Sequence, residues 1–192
     1  MLSNTLPKII VLTIICATLL ATASSQPKPP AEVDITKCWV SPAPEGSGSG
    51  FVSDSSRLYA GGDGGRVEAL SLDGKKMWAT ELGGDIRSNL LATDNGLFLV
   101  TVTVSPDATK SPLNQIISLS KETGITNWTG KLPDASGHNL NEYHGTVVIV
   151  SKSGVIQSID AKTGAMKWKR EIAEGFATEP RFFAEKLIVA ST

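Results

Sequence analysis

Short apolar runs separated by polar turns recur along most of the chain and predict β-strands. The clearest set lies near the C-terminal end. Thr146–Ser151 is rich in β-branched residues, which favours a buried strand. The glycine-containing turn Lys152–Gly154 leads into Val155–Asp160, which predicts a hairpin. A second turn, Asp160–Gly164, leads into Met166–Ile172, where the flanking charges predict a solvent-facing outer strand.

The same layout recurs upstream and once more downstream. Further strands are predicted at 57–62, 66–72, 75–82, 97–103, 115–120, 139–143, 178–183 and 186–191. The connection 104–114 is polar and contains Pro106 and Pro112, which indicates an exposed loop; a simple length insertion is the alternative to a functional role. Beyond the N-terminal apolar segment, no stretch has helical periodicity.

A second pattern is the spacing of the tryptophans, which lie 39, 50 and 40 residues apart. They are Trp39, Trp78, Trp128 and Trp168. Each of the last three follows a glycine by four positions; these glycines are Gly74, Gly124 and Gly164. A period near 40 residues with a recurrent tryptophan is typical of a propeller or a solenoid.

Composition agrees with many short strands and turns. The 192 residues include 18 Gly and 10 Pro, and the formal net charge is −1. No block of Lys and Arg occurs, so neither a nucleic-acid footprint nor a polybasic membrane patch is predicted.

The N-terminus has the pattern of a signal peptide, predicted at residues 1–23. Lys8 precedes the apolar run Ile9–Leu20, which is short for a membrane span, and Ala21–Ala23 is a cleavage site of the A-x-A type. A retained membrane anchor is the alternative. Cys16 and Cys38 each lack the small preceding residue of a lipoprotein signal, so membrane association stays open without a lipid-attachment site. Residues 24–32 predict an extended proline-rich linker.

The residues of these repeats resemble those of a known family. Ile159–Trp168 is similar to the tryptophan-docking repeat of the quinoprotein (PQQ-like) β-propellers. Leu119–Trp128 is a second copy in which Ser120 replaces the aspartate, and Leu72–Trp78 is a third with a shortened turn. The resemblance implies that residues 33–192 form an all-β propeller of four-stranded antiparallel blades.

The resemblance also implies roles for individual residues. The tryptophan of each blade is expected to pack between neighbouring blades, and the turn is expected to dock with it. We expect these structural positions at Trp39, Trp78, Trp128, Trp168, Gly74, Gly124, Gly164, Asp73 and Asp160. The two aspartates are better explained as turn residues that bind backbone amides than as acid catalysts.

The predicted strands make about three complete blades plus partial ones, so the ring is incomplete. An outer strand at Val33–Val40 precedes three four-stranded units, and two strands follow them. Because an unpaired apolar edge favours aggregation, we expect an N-terminal part of a longer protein. The alternatives are a closed assembly of two chains and a small four-bladed ring with one defective blade.

The resemblance allows two functions. The favoured one is an exported, non-enzymatic module, periplasmic or extracellular in a bacterial envelope, which binds protein partners through loops or an open strand edge and serves in envelope or outer-membrane protein assembly. The alternative is part of a PQQ-dependent dehydrogenase. Such enzymes hold the quinone beside adjacent cysteines and a calcium ion, and no adjacent cysteines or calcium-loop spacing occur here. No cofactor is therefore expected, with PQQ and calcium only under the alternative.

Other candidate residues have ordinary explanations. His138 and His144 lie about 20 Å apart on a regular strand, too far to share a metal ion, and are interpreted as polar loop-end residues. Gly61–Gly65 is glycine-rich but precedes no helix, so a hairpin turn is predicted instead of a phosphate site. Asn127–Thr129 fits a glycosylation sequon but overlaps the docking Trp128.

Overall fold

The computed structural model describes residues 40, 50–107, 109–134, 136–172, 175–176, 180–183 and 185–190. All of them belong to the compact unit formed by residues 37–192. The predicted signal peptide, the linker, most of the predicted strand at 33–40 and Trp39 lie outside the described residues. Within the described part, no helix combines the length and the hydropathy needed to cross a membrane.

The described residues form fifteen strands and one short 3₁₀ turn. The strands are β1 (Phe51–Ser53), β2 (Arg57–Gly61), β3 (Arg66–Ser71), β4 (Lys76–Glu81), β5 (Asp85–Ile86), β6 (Leu91–Thr93), β7 (Gly96–Thr103), β8 (Leu113–Leu119), β9 (Thr126–Lys131), β10 (His138–Tyr143), β11 (Thr146–Ser151), β12 (Val155–Asp160), β13 (Met166–Glu171), β14 (Arg181–Phe183) and β15 (Lys186–Ile188). The 3₁₀ turn is Asp63–Gly65, inside the predicted turn Gly61–Gly65.

Three consecutive antiparallel sheets form three blades, and this confirms the all-β propeller-like fold. Blade 1 consists of β1-β2-β3-β4 and blade 3 of β10-β11-β12-β13, each in sequence order. In blade 2, β5 and β6 both pair with β7 and together form the inner strand, followed by β8 and β9. β14 and β15 form a two-stranded sheet. Among the described residues, the sheets do not close into a ring.

The middle strands are buried on each face that a neighbouring sheet covers: blades 1 and 3 cover the two faces of blade 2, and blade 2 and the final hairpin cover those of β11. β11 is buried at five successive positions, Val147–Ser151, which explains why its sequence is a continuous apolar run and not an alternating one. Alternate residues of a strand point to opposite faces. In β8, Ile117 and Leu119 therefore pack toward blade 1, whereas Ile116 packs toward blade 3.

Each interface between successive sheets has its own apolar core. Blades 1 and 2 share Tyr59, Val67, Ala69, Leu90, Leu97, Leu99, Ile117 and Leu119. Blades 2 and 3 share Phe98, Val100, Ile116, Leu140, Val147, Ile149, Ile159 and Ala161, with Leu132 from the connecting loop. Blade 3 and the final hairpin share a smaller cluster around Val148, Val150 and Ile156.

The inner strand of blade 2 is broken between β5 and β6, which the apolar pattern did not predict. Inside this break, Ser88 Oγ accepts a hydrogen bond from the Val100 amide at 2.8 Å. The side chain of Asn89 acts like a peptide group toward blade 3: its Oδ1 accepts the Leu140 amide at 2.8 Å, and its Nδ2 donates to the Leu140 carbonyl at 3.0 Å. The break therefore joins the inner strands of two blades.

The interface cores predict which phenylalanine matters for stability. Phe98 is fully buried between blades 2 and 3, whereas Phe51 in β1 is 78% exposed. We expect Phe98→Ala to lower the free energy of unfolding by about 3–5 kcal/mol, because it removes buried surface and leaves a cavity. Phe51→Ala, the matched control, is expected to change it by less than about 0.5 kcal/mol. Urea unfolding measures both, and equal losses would contradict the assignment of this core.

Candidate functional site

The first candidate site is the contact between the outer strand of one blade and the turn of the next. Trp78 in β4 donates its indole N–H to the carbonyl of Lys121 at 2.9 Å. Two residues further along, Thr80 Oγ1 donates to the carbonyl of Gly124 at 2.9 Å. Gly124 has φ 71°, and a Cβ at this position would lie 2.5 Å from Cε3 of Trp78. Only glycine allows the turn to lie this close to the ring.

The contact repeats one blade later. Trp128 in β9 donates its indole N–H to the carbonyl of Ala161 at 3.2 Å. Gly164 has φ 72°, and a Cβ there would lie 2.8 Å from Cε3 of Trp128. Each tryptophan thus docks on the glycine of the following blade, 46 or 36 residues later, and not on the glycine four positions before it.

Trp168 occupies the same position in blade 3, but it is 40% exposed. Like Trp78 and Trp128, it lies opposite an irregularity in strand pairing, here between Ser158 and Ile159. Among the described residues, no glycine turn packs against its ring. Trp39, the fourth predicted docking tryptophan, lies outside the described residues.

The three glycine turns each contain a hydrogen bond from the glycine amide. The amides of Gly124 and Gly164, whose turns receive Trp78 and Trp128, respectively, donate four residues back to the carbonyls of Ser120 and Asp160, and the amide of Gly74 donates three residues back to Ser71, at 2.9 Å in each turn. In the third turn, Asp160 Oδ1 accepts the amides of Lys162 and Thr163 at 3.0 and 3.1 Å. A hydrogen bond from Lys167 and these amide bonds hold the pKa of Asp160 below its usual range.

The first turn differs because it is one residue shorter. Ser71, and not Asp73, stands at the position of Asp160, and its Oγ accepts the Lys75 amide at 3.1 Å. The Asp73 carboxylate accepts a hydrogen bond from the Ser71 hydroxyl and pairs with Lys75 at 3.2 Å. The Ser71 bond, and then the Lys75 bond, lower the pKa of Asp73.

A carboxylate that the sequence analysis did not identify strengthens the first interblade contact. Asp54, in the turn between β1 and β2, binds the ammonium of Lys121 at 3.0 Å and the hydroxyl of Tyr59 at 3.1 Å. Burial alone would raise the pKa of Asp54, but hydrogen bonds from the Ser56 amide, Lys121 and their neighbours outweigh it and lower the pKa. Lys121 is also the residue whose carbonyl binds Trp78, so the ion pair and the indole bond fix the same turn.

The second candidate site is a polar cluster around Asp134, in the loop that leads into blade 3. The Asp134 carboxylate accepts hydrogen bonds from the hydroxyls of Ser136 at 2.7 Å, Ser151 at 2.9 Å and Ser153 at 2.7 Å. Burial alone would raise its pKa, but these hydroxyls hold the pKa of Asp134 below its usual range. The cluster ties the incoming loop to the turn between β11 and β12.

His138 lies beside this cluster, with Nε2 3.4 Å from Asp134 Oδ1. Its side chain is 1% exposed, and neither ring nitrogen has a hydrogen-bond partner among the residues that the structure describes. Burial lowers the pKa of His138, and the Asp134 charge opposes this shift only in part. The serines bind the carboxylate and not the imidazole, so Asp134, His138 and Ser151 do not form a nucleophile–base–carboxylate relay.

The two histidines therefore have different environments. His138 is the first residue of β10 and is buried, whereas His144 lies in the turn after β10, with φ 48°. Sequence spacing placed both near strand ends but gave no indication that His138 is buried. Within the described residues, no group of three or more His, Cys, Asp or Glu side chains could hold a metal ion.

Comparison with known proteins identifies the family. The family model described as outer membrane protein assembly factor BamB matches residues 23–190. The chain belongs to the BamB family. This confirms the expected PQQ-like propeller repeat, which was inferred from the docking turns and their tryptophans.

Individual relatives of this BamB-family chain are distant. The chain is similar to BamB from Moraxella catarrhalis (TM-score 0.55, 23% identity, 71% of this chain, 40% of that one). It is also similar to quinohemoprotein alcohol dehydrogenase from Comamonas testosteroni (TM-score 0.52, 14% identity, 73% of this chain, 31% of that one). Tetrathionate hydrolase from Acidithiobacillus ferrooxidans is 26% identical over 140 residues, 64% of this chain and 26% of that protein. The chain thus spans less than half the length of each of these relatives.

The close contact at Gly124 yields a prediction with a matched control. Gly124 and Gly145 both have positive φ, but a Cβ at Gly145 would meet no atom within 4 Å. Gly145→Ala should cost about 1–2 kcal/mol of stability through backbone strain alone. Gly124→Ala should cost about 1–3 kcal/mol more, because its Cβ overlaps Trp78. Urea unfolding of both variants gives the difference. Equal losses would mean that the tryptophan does not pack on this turn.

The buried His138 yields a pH prediction. Its pKa is lower in the folded than in the unfolded protein, where it is about 6.5, so the unfolded state binds more protons below that pH. We expect full stability above about pH 6.5 and a decline as the pH falls, with a slope of at most about 1.4 kcal/mol per pH unit. His138→Gln should remove this part of the decline between pH 8 and 5. His144→Asn, at the exposed turn, should retain it. A decline unchanged in His138→Gln would contradict the assignment.

Proposed function

We propose that this BamB-family chain is an exported, non-enzymatic propeller module that binds proteins during outer-membrane protein assembly. The match of the family model over residues 23–190 is the observation that carries the proposal. The signal peptide predicted at residues 1–23 supports export to the periplasm or the cell surface.

The described side chains support a binding role. The carboxylates of Asp54, Asp134 and Asp160 each accept several local hydrogen bonds, which fasten turns and blades and leave them poorly suited to accept a substrate proton. The interblade contacts make successive blades into a continuous support for the loops between strands. Rigid supports that present variable loops are well suited to protein recognition.

A quinoprotein dehydrogenase is the alternative. The similarity to quinohemoprotein alcohol dehydrogenase shows a shared fold and does not distinguish the two functions. The proposed function requires no cofactor, whereas the dehydrogenase alternative requires PQQ and calcium.

Affinity capture tests the proposal. The tagged, full-length protein should be expressed in its own host, cross-linked reversibly and isolated from the envelope fraction. We expect a component of the outer-membrane assembly machinery to co-purify, and depletion of the protein to lower the amount of outer-membrane β-barrel proteins. The control is an equally abundant, unrelated periplasmic protein with the same tag.

The same preparation tests the enzymatic alternative. Purified protein should be reconstituted with PQQ and calcium and assayed for reduction of an electron-accepting dye with alcohols and sugars, and separately for loss of tetrathionate. We expect neither activity above that of the buffer. Dye reduction that requires both PQQ and calcium would replace the proposed function with the dehydrogenase.

A further inference from the structure

The inner junction, where the broken inner strand of blade 2 meets the start of β10, is held by few hydrogen bonds. The amide of His138 donates to the carbonyl of Arg87 at 2.8 Å, and His138 forms a parallel bridge with Ser88. The Asn89 side chain adds its two bonds to Leu140. The flanking strands β5 and β6 contain only two and three residues. A segment held in this way opens at a lower free energy than long, buried strands such as β7.

The imidazole of His138 is buried at this junction. Leu140 belongs to the core shared by blades 2 and 3, and alternate residues of a strand point to the same face, so His138 also faces blade 2. The final hairpin packs on the opposite face of blade 3, around Val148 and Val150. The side chain of His138 is 1% exposed, and its ring nitrogens have no hydrogen-bond partner among the described residues. A buried ring without partners is well suited to the neutral state and poorly suited to a charge.

The charged groups around the imidazole give a positive ring little support. Asp134 Oδ1 lies 3.4 Å from Nε2, but both oxygens of this carboxylate already accept serine hydroxyls. The Lys152 side chain passes Gly137, where a Cβ would lie 3.2 Å from Cε of the lysine. Arg87 and Asp85 pair with each other at 2.9 Å and are more than half exposed. A proton on the ring would therefore lose hydration for one carboxylate that is already engaged, with a lysine near the preceding residue.

We propose that His138 is a pH switch: its protonation opens the inner junction between blades 2 and 3 while the rest of the described blades stays folded. Burial lowers the pKa of His138, and Asp134 opposes this shift only in part. The closed junction therefore binds a proton more weakly than the open one, so acid favours the open form. Opening is local because His138 is the first residue of β10, and its ring reaches water once it separates from Arg87 and from Ser151, its pair on β11. The inference goes beyond the proposed function and does not depend on it.

Amide hydrogen exchange of the full-length protein at pH 7.5 and 5.5, followed by mass spectrometry, tests the switch. The rates are corrected for the pH dependence of the chemical exchange step. Peptides that cover residues 85–91 and 136–141 report the inner junction, and residues 57–71, which contain no histidine, are the matched control from another blade interface. We expect the open population of the junction to rise about three- to tenfold at pH 5.5, where the upper limit follows from an open-state pKa of about 6.5. The control should change less than about twofold.

Four variants separate the titrating group from the contacts that hold the junction. His138→Gln keeps a polar side chain that cannot be protonated, and it should lose the rise, whereas His144→Asn, in the turn after β10, should keep it. Asn89→Ala removes two bonds of the junction and should increase opening at both pH values by the same factor. Asp134→Asn removes the opposing charge, so its rise should be at least as large as that of the unmodified protein. The last two variants test the inference even if His138→Gln does not fold.

Other results would overturn the inference. No rise, or greater protection of the junction at pH 5.5, would mean that the imidazolium pairs with Asp134 and holds the junction closed. A smaller rise in Asp134→Asn would have the same meaning. An equal rise in residues 57–71 would show general destabilisation by acid, and a rise that persists in His138→Gln would assign the effect to another group.

Discussion

The described fold depends on one short-range constraint, the contact between a tryptophan ring and a glycine without a side chain. At Trp78 and Trp128 the turn of the next blade lies so close that a single added carbon would overlap the indole. The indole N–H also binds a carbonyl of that turn. The contact thus combines a large apolar ring, a directional hydrogen bond and a steric requirement. Together they fix the distance and the angle between successive blades.

The remaining interactions follow from that spacing. With the outer strands fixed, the middle strands of blades 2 and 3 are close enough to neighbouring sheets to share apolar cores on both faces. This is why β7 and β11 are almost continuous apolar runs. The polar groups buried by this arrangement are satisfied locally: Asn89 bridges two inner strands, Asp54 holds the turn that receives Trp78, and Asp134 joins a loop to a hairpin. Within the part of the chain that the structure describes, both ring nitrogens of the buried His138 lack hydrogen-bond partners, as do single buried side-chain atoms of Arg57, Asn114 and Asn141.

In such a molecule, function depends on the loops and surfaces of the blades and not on the residues of the repeat. The repeat residues are occupied in holding blades together, so the same fold is shared by an assembly factor and by quinohemoprotein dehydrogenases.

The sequence by itself determined the strands, the turns and the repeat, because alternation, β-branched runs and glycine turns act over a few residues. It also identified the residues of the tryptophan contact. Only the tertiary structure decided that Trp78 meets Gly124 and not Gly74, since the stacking of blades brings together residues that are far apart in sequence. Asp54, Asn89 and Asp134 were missed for the same reason, because each also binds groups on other strands, turns or blades. His138 was noticed but interpreted as a polar loop-end residue, and only the tertiary structure shows that it is buried.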